Sequence, residues 1–268
     1  MHHCHPILLT AGISAAFTAS AAAVPFSYSE NFEGGSIPSG YSVPIGSFNV
    51  QSTTATAGSL ALVSTAGGTG QERADYLGTS TEGISATDWQ DYTVTGTIGA
   101  DTWTDGSSSL YAGVLVRVQS DGSAYGFRVG NTANAAPQLI RVENLPSTPG
   151  PSSIFSLAVS GDSTTTMDAG EEFSYVFSVV NDEVNGEVDL SVAITTADGA
   201  VLDVSTSVAY TDPNVIADAG YFSLFTESNN TRLWAFDDLN ITGDAVPEPS
   251  GLAFMGLAAV GLLARRRA

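Results

Sequence analysis

The sequence lacks lysine and has almost no cysteine or histidine. All eight basic residues are arginines, the one cysteine is Cys4, and the three histidines are His2, His3 and His5. The rest of the chain therefore has no imidazole base, thiolate nucleophile or Schiff-base amine. It also has no His or Cys ligands for zinc and no phosphate-loop lysine.

Positive charge is scarce as well. Residues 24–245 hold 27 of the 28 acidic residues and only 5 of the arginines, which gives them a net charge of −22. Such a surface repels nucleic acid, anionic lipid and acidic polysaccharide, so no nucleic-acid partner is expected. Without cysteine after Cys4, an exported domain has to obtain its stability from its core.

Residues 1–23 are typical of a secretory signal peptide. An apolar stretch at 6–17 precedes a run of small residues that offers A-x-A cleavage sites ending at Ala21 or Ala23. Histidines occupy the n-region, where Lys or Arg is usual. A short membrane anchor is the alternative, but about twelve apolar residues are fewer than the ~20 that span a bilayer.

Residues 246–268 consist of three parts in a fixed order. They are a Pro-rich break (Pro247, Glu248 and Pro249), an apolar stretch (251–264) and an arginine cluster (Arg265, Arg266 and Arg267). The positive-inside rule keeps the arginines cytoplasmic and leaves everything before Pro247 outside. The apolar stretch is short and rich in Gly and Ala, which favours transient membrane insertion over a permanent span.

These three parts resemble the PEP-CTERM sorting domain of exopolysaccharide-producing Gram-negative bacteria. The resemblance implies an exosortase-type membrane enzyme that cuts at the PEP motif. It also implies a protein that is membrane-anchored before processing and is then exported to the cell surface or extracellular matrix. An ordinary single-pass tail anchor is the alternative.

Between the two ends, residues 24–245 read as one β-rich domain. Apolar residues recur with a period of two, which is typical of strands with one buried face. Clear examples are Phe173, Tyr175, Phe177 and Val179, and then Val188, Leu190, Val192 and Ile194. Turn dipeptides such as Asn185-Gly186 separate the runs. The pattern predicts an all-β fold of two packed antiparallel sheets.

Four segments resemble the concanavalin A-like jelly roll of the LamG and glucanase type. They are 29–34 (SENFEG), 110–129 (LYAGVLVRVQSDGSAYGFRV), 220–225 (GYFSLF) and 234–241 (WAFDDLNI). The resemblance implies a two-sheet antiparallel jelly-roll sandwich with adjacent first and last strands. It does not imply one function, because the fold hosts lectins, glycosidases and spacers.

With His, Lys and Cys absent, an enzyme would have to use carboxylates, as glycosidases do. The strand Glu187-Val188-Asp189-Leu190-Ser191 resembles the E-x-D-x-E strand of laminarinase-type glycosidases. In that motif the first Glu is the nucleophile and the last is the acid/base. Ser191 stands at the last position and cannot donate a proton at a useful pKa. We therefore interpret the segment as the polar face of an ordinary strand.

A calcium site is the one cofactor that the sequence suggests. Apolar residues occur at both odd and even positions around Asp237 and Asp238. The odd positions, which lie on the same side as Asp237, hold Leu233, Ala235, Leu239 and Ile241; the even positions, on the side of Asp238, hold Trp234 and Phe236. This pattern indicates either a strand buried on both faces or a β-bulge at the Asp pair. If the first and last strands are adjacent, Asn31 or Glu33 approaches Asp237 or Asp238. Oxygen ligands on irregular backbone suit a structural Ca²⁺; a solvated acidic pair is the alternative.

Sugar binding needs flat aromatic rings beside polar groups. Trp103 lies in the polar stretch 101–106 and is the strongest candidate, followed by Trp89 and Tyr125, whereas Trp234 is expected in the core. The leading hypothesis is an exported, non-enzymatic surface or matrix protein with a structural or adhesive jelly-roll module. A carbohydrate-binding module with a polysaccharide partner comes second, and a carboxylate-dependent glycoside hydrolase third.

Overall fold

The computed structural model describes residues 23–53, 60–65, 70–103, 111–130, 136–143, 153–160, 170–228 and 232–246. Within these ranges the chain forms fifteen β-strands and one short 3-10 helix, Ala86–Asp88. The strands are β1 (Val24–Glu30), β2 (Tyr41–Ile45), β3 (Phe48–Ser52), β4 (Leu60–Ser64), β5 (Gly70–Tyr76), β6 (Trp89–Trp103), β7 (Tyr111–Val118), β8 (Ala124–Gly130), β9 (Gln138–Glu143), β10 (Ser153–Val159), β11 (Glu172–Asp182), β12 (Glu187–Thr195), β13 (Val201–Ala209), β14 (Tyr221–Ser228) and β15 (Arg232–Ala245).

The strands build two sheets. Sheet A has eight strands in the order β13-β12-β11-β6-β15-β4-β3, with β1 also paired to β15. Sheet B has seven strands in the order β10-β9-β8-β7-β14-β5-β2. Neighbouring strands run antiparallel throughout the described pairings, for example β11 with β12 and β7 with β8. The prediction of an all-β, two-sheet antiparallel sandwich is confirmed.

Alternate residues of each strand supply the core between the sheets. In β11 the buried positions are Phe173, Tyr175, Phe177 and Val179, and in β12 they are Val188, Leu190, Val192 and Ile194. The residues between them face outward and are mostly small or polar. The period of two in the sequence therefore reports which face of each strand is buried.

A cluster of aromatic rings joins the two sheets at one end of the core. Trp89 of β6 stacks on Phe26 of β1 with ring centroids 4.5 Å apart. From sheet B, Tyr76 lies 5.6 Å and Phe222 6.3 Å from the same indole. Large buried aromatic rings contribute much of a core's hydrophobic free energy. This cluster is part of the core that stabilises a sandwich without disulfides.

Arg117 is fully buried between the sheets, which is rare for a charged side chain. Strand β7 holds one extra residue at this point, since Tyr221 pairs with Val118 but Ser223 pairs with Leu115. Arg117 itself has a φ of 50°. The extra residue interrupts the alternation of β7 and allows the side chain to enter the interior.

The buried guanidinium binds groups from three parts of the chain. Its Nε donates to Gln90 O at 2.8 Å, and its Nη2 donates to Asp91 Oδ1 at 2.9 Å. Its Nη1 donates to Asn181 Oδ1 at 2.8 Å and to Ile216 O at 2.9 Å. Arg117 therefore connects β7 of sheet B to β6 and β11 of sheet A and to the loop before β14.

We expect the substitution Arg117→Met to lower the free energy of unfolding by about 3 kcal/mol or more. It leaves Gln90 O, Ile216 O and Asn181 Oδ1 without the Arg117 donor and removes the cation that pairs with Asp91. Urea unfolding of the two proteins measures the loss. Arg128→Met is the matched control, since Arg128 is only half-buried on β8. Equal losses in the two variants would contradict a special role for Arg117.

Candidate functional site

The first and last described strands are neighbours. β1 pairs with β15 over its whole length, from Val24 opposite Ala245 to Glu30 opposite Leu239. The adjacency expected from the jelly-roll resemblance is therefore present. It brings the segment that follows β1 next to the Asp pair of β15.

Strand β15 contains a β-bulge at that Asp pair. Against β6, Asp237 pairs with Thr97 but Asn240 pairs with Thr95, so β15 has one extra residue. Asp238 takes a φ of 50°. On the other side, β15 pairs with β4 before the bulge and with β1 after it. Both interpretations of the parity change are confirmed: the bulge is present, and before it Trp234, Ala235 and Phe236 are fully buried, so both faces of β15 are covered there.

Two of the four calcium candidates share one cleft. Asn31 and Asp238 are both exposed and line a cleft of about 400 Å³ with Ser29, Glu30, Leu239 and Asn240. Asp237 is only 4% exposed, and its Oδ1 accepts a hydrogen bond from Asp238 N at 2.8 Å. Glu33 is not among the lining residues; its carboxylate accepts from Leu60 N at 3.0 Å.

Negative charge is concentrated around the bulge. Partial burial raises the pKa of Glu172 on β11, and the negative charges of Asp238 and Asp237 raise it further. In the described part of the chain, no set of three His, Cys, Asp or Glu side chains has the arrangement to hold a metal ion. An ion at this bulge would therefore need the Asn31 amide oxygen and main-chain carbonyls beside the Asp pair.

A second cleft lies on the other side of Asp238. It has a volume of about 290 Å³ and includes Asp238 itself. Its polar lining residues are Thr95, Thr97, Ser174 and Thr195. These residues face outward from β6, β11 and β12, because their neighbours in each strand face the core. The outer face of sheet A thus carries two polar clefts, with Asp238 lining both.

Trp89 and Tyr125 do not form a sugar-binding platform, and the sequence prediction is wrong for both. Trp89 is fully buried in the aromatic cluster that joins the sheets. Tyr125 is also fully buried, and its hydroxyl accepts a hydrogen bond from Ile216 N at 3.0 Å. Neither ring has a face open to a ligand. Trp234 is in the core, as expected.

Trp103 is the last residue of β6 and pairs with Arg232 of β15 through the backbone. Its side chain lies outside the described residues, so its proposed role in sugar binding stays a prediction. The glycosidase-like segment is part of β12, and its side chains Glu187, Asp189 and Ser191 lie on the outer face of that strand. There Asp189 accepts a hydrogen bond from Ser207 Oγ at 2.6 Å, and Ser191 is exposed.

The sequence analysis missed a buried charge pair on β5. Arg73 Nε lies 2.8 Å from Asp75 Oδ1, and Tyr221 donates from its hydroxyl to Asp75 Oδ2 at 3.4 Å. Burial raises the pKa of Asp75, and the charge of Arg73 opposes that rise. Alternation along the strand could have predicted that these two side chains lie on the same face. Arg73 and Asp75 flank Ala74, which is a core residue, so both face away from the core.

The C-terminal sorting segment begins where the folded sandwich ends. Ala245, the last residue of β15, is buried, and Val246 N donates to Asp88 O at 3.1 Å. Pro247, Glu248, Pro249, Arg265, Arg266 and Arg267 lie outside the described residues. Within the described ranges, no helix is long and apolar enough to cross a membrane.

Solved structures share the architecture at low sequence identity. The carbohydrate-binding module CBM66 from Bacillus subtilis is 14% identical with a TM-score of 0.47, over 76% of this chain and 96% of that one. The PL-14 alginate lyase from Aplysia kurodai is 10% identical with a TM-score of 0.49, over 73% and 86%. Peanut lectin is 12% identical with a TM-score of 0.44, over 83% and 97%.

These likenesses concern the fold alone. A search of curated proteins found no match to the sequence. The profile of the PEP-CTERM protein-sorting motif, in contrast, matches residues 245–267. The chain is therefore a β-sandwich that carries a PEP-CTERM protein-sorting motif directly after its last strand.

Proposed function

We propose that this chain is an exported, non-enzymatic module that acts at the surface or in the extracellular matrix of a Gram-negative cell after exosortase-type processing. The match of residues 245–267 to the sorting motif carries this proposal. The predicted signal peptide at 1–23 would start export. The acidic domain, with a net charge of −22, suits a soluble extracellular role.

The position of the motif fits removal of the tail without damage to the sandwich. β15 is paired with β1 and β6 up to Ala245, and Val246 still bonds to Asp88. A cut between 247 and 250 would therefore remove none of the described strands. The tail can act as a transient anchor and be lost, as in other signals whose hydrophobic segment is removed.

We expect the exported protein to lack residues 251–268 when its host has an exosortase. Intact-mass measurement of protein extracted from the surface or the medium tests this. The control is a chain with Glu248→Ala and Pro249→Ala, which should keep the tail and stay in the membrane fraction. An unprocessed mass for the wild-type chain in that host would contradict the proposal.

The non-enzymatic part of the proposal is supported by the outer face of β12. The carboxylate of Asp189 is bound to Ser207, and Ser191 stands where a glycosidase would need its acid/base. The purified protein should release no reducing sugar from β-glucans or galactans. Turnover that disappears in Glu187→Gln, but persists in Asp203→Asn on the neighbouring strand, would favour the glycosidase hypothesis instead.

Carbohydrate binding is the second candidate function, and it is supported by the hydrogen-bonding groups of the cleft beside the bulge, whose lining residues include no aromatic ring. Its volume of about 400 Å³ falls within the range of small-ligand sites, and Ser29, Asn31 and Asn240 offer hydrogen bonds to sugar hydroxyls. A polysaccharide is the partner that this chemistry suits. The same incubations with β-glucans and galactans test for carbohydrate binding. A binding module should be retained on the insoluble polymer and release no sugar from it.

We further propose a structural Ca²⁺ at the bulge, held by Asp238 with oxygen atoms of the segment at Asn31, while the buried Asp237 adds negative charge beside the ion. An ion there would offset the repulsion among Glu172, Asp237 and Asp238, and it would hold the first and last strands together. A ligand of the folded state adds about 2.7 kcal/mol of stability at a hundredfold excess over its Kd.

Millimolar Ca²⁺ should therefore raise the melting temperature by several degrees more than Mg²⁺, which dehydrates reluctantly and demands octahedral geometry. The double substitution Asp237→Asn with Asp238→Asn should abolish this difference. Thr242→Asn, which is exposed further along β15, is the control and should keep it. If Ca²⁺ and Mg²⁺ changed the melting temperature of the wild-type protein equally, the Asp pair would be a solvated acidic pair and not a calcium site.

A further inference from the structure

Among the described strands, four lie at the ends of the two sheet orders: β13 and β3 in sheet A, and β10 and β2 in sheet B. A terminal strand presents unpaired N–H and C=O groups along its free side, and these groups can pair with a strand of another molecule. Natural proteins block such edges with short strands, prolines, bulges or charges. The four edges here differ in how far they are blocked.

Three of the four edges are short or irregular. β2 is five residues long, contains Pro44 and shifts register against β5 between Ser42 and Ile45. β10 shifts register against β9 between Ser156 and Ala158. β3 is only five residues long. Each of these strands offers only a short or irregular row of backbone groups.

The free side of β1 is blocked by a different device. Thr81 N donates to Ser27 O at 2.8 Å, and Ser27 N donates to Glu82 Oε2 at 2.7 Å. Ser27 Oγ also donates to Glu82 Oε1 at 2.9 Å. The turn at 80–83 therefore forms hydrogen bonds with the backbone N–H and C=O of Ser27 in the middle of β1, where another strand would otherwise pair.

β13 has only one of these protections, the charge of Asp203. It is nine residues long and pairs with β12 in an unbroken register from Val201 opposite Thr195 to Ala209 opposite Glu187. It contains no proline or bulge, and Asp203 is its one charged residue. Among the described residues, no strand other than β12 pairs with it. β13 is therefore the longest regular edge that the described sandwich leaves open.

We infer that the open edge of β13 pairs with β13 of a second copy of this chain, antiparallel about a two-fold axis at Ser205. A two-fold axis between identical strands gives a closed dimer rather than a growing filament. The two copies of sheet A then form one continuous sheet, and both exposed edges disappear.

The sequence of β13 is self-complementary in this register. Across the axis, the inward residue Leu202 lies opposite Val208 of the second copy, which continues the row of core residues. On the outer face, Asp203 lies opposite Ser207 of the second copy, whose hydroxyl already donates to Asp189 of its own β12, so Asp203 gains no hydrogen bond from it. Ser205 lies opposite itself. No like charges are directly opposed, as a stable pairing requires.

The neighbouring edge of sheet B adds apolar area to the same side of the molecule. Strand β10 of sheet B contacts β13 at this side. Its Phe155 is 43% exposed and its Val159 is 50% exposed. A second copy that extends sheet A would cover part of this surface, and buried apolar area favours association.

The acidic surface opposes the dimer at long range. Two domains of −22 repel each other, and salt weakens this repulsion because the Debye length falls from ~10 Å at 0.1 M to ~3 Å at 1 M. Backbone pairing and apolar contacts are not weakened in this way. We therefore expect dimerisation to strengthen as ionic strength rises, opposite to an interface held by salt bridges.

The first test is a cross-link in the protein purified from the exporting host, in a Cys4→Ser background. Ser205→Cys should oxidise to a disulfide-linked dimer, because directly opposed residues of antiparallel strands have Cα atoms ~4.5–5.5 Å apart, within the range that a disulfide spans. Thr242→Cys, exposed on β15 far from the edge, should yield roughly tenfold less linked dimer. Equal linking of both variants, or none of either, would overturn the inference.

The second test measures the dimer without a covalent bond. Sedimentation of the wild-type protein at low and high salt should show a monomer–dimer equilibrium that shifts towards dimer in high salt. Ser205→Asp should weaken the dimer roughly tenfold or more, since it opposes two carboxylates at the axis, whereas Thr242→Asp adds the same charge elsewhere. A wild-type monomer at every salt concentration, or equal effects of the two variants, would refute pairing through β13.

Discussion

The structure depends most on a single buried cation. Arg117 is fully buried and donates hydrogen bonds to groups from β6, β11 and the loop before β14. A buried guanidinium without these acceptors would be strongly destabilising, so they must be in place together with the fold. In a chain with no disulfide in its sandwich, this arginine specifies how the two sheets are positioned against each other.

Each sheet contains a β-bulge at a residue with positive φ, Arg117 in sheet B and Asp238 in sheet A, and the two bulges have different consequences. At Arg117 the extra residue of β7 turns a charged side chain into the core. At Asp238 the extra residue of β15 lies where the strand changes its outer partner from β4 to β1. The second bulge also concentrates carboxylates and polar clefts on the outer face of sheet A. Irregular positions within regular strands thus create the chemical features of this sandwich.

Much of the fold could be predicted from the period of two, because alternation reports directly which face of a strand is buried. The bulge at Asp237 was visible as a change of parity. Trp89 was misjudged because its neighbours in sequence are polar, whereas its burial comes from stacking on Phe26, 63 positions earlier. Contacts this distant in sequence leave no local pattern. The partners of Arg117 escaped prediction for the same reason.

Hydrogen exchange in the native protein tests most directly whether Arg117 joins the sheets into one cooperative unit. Core amides of β6 and β11 in sheet A and of β7 in sheet B should exchange with one common free energy of opening, equal to that of global unfolding. The fold would then open as a whole. A lower free energy of opening for the amides of β7 than for those of β6 would show that the sheets separate independently and would contradict this account.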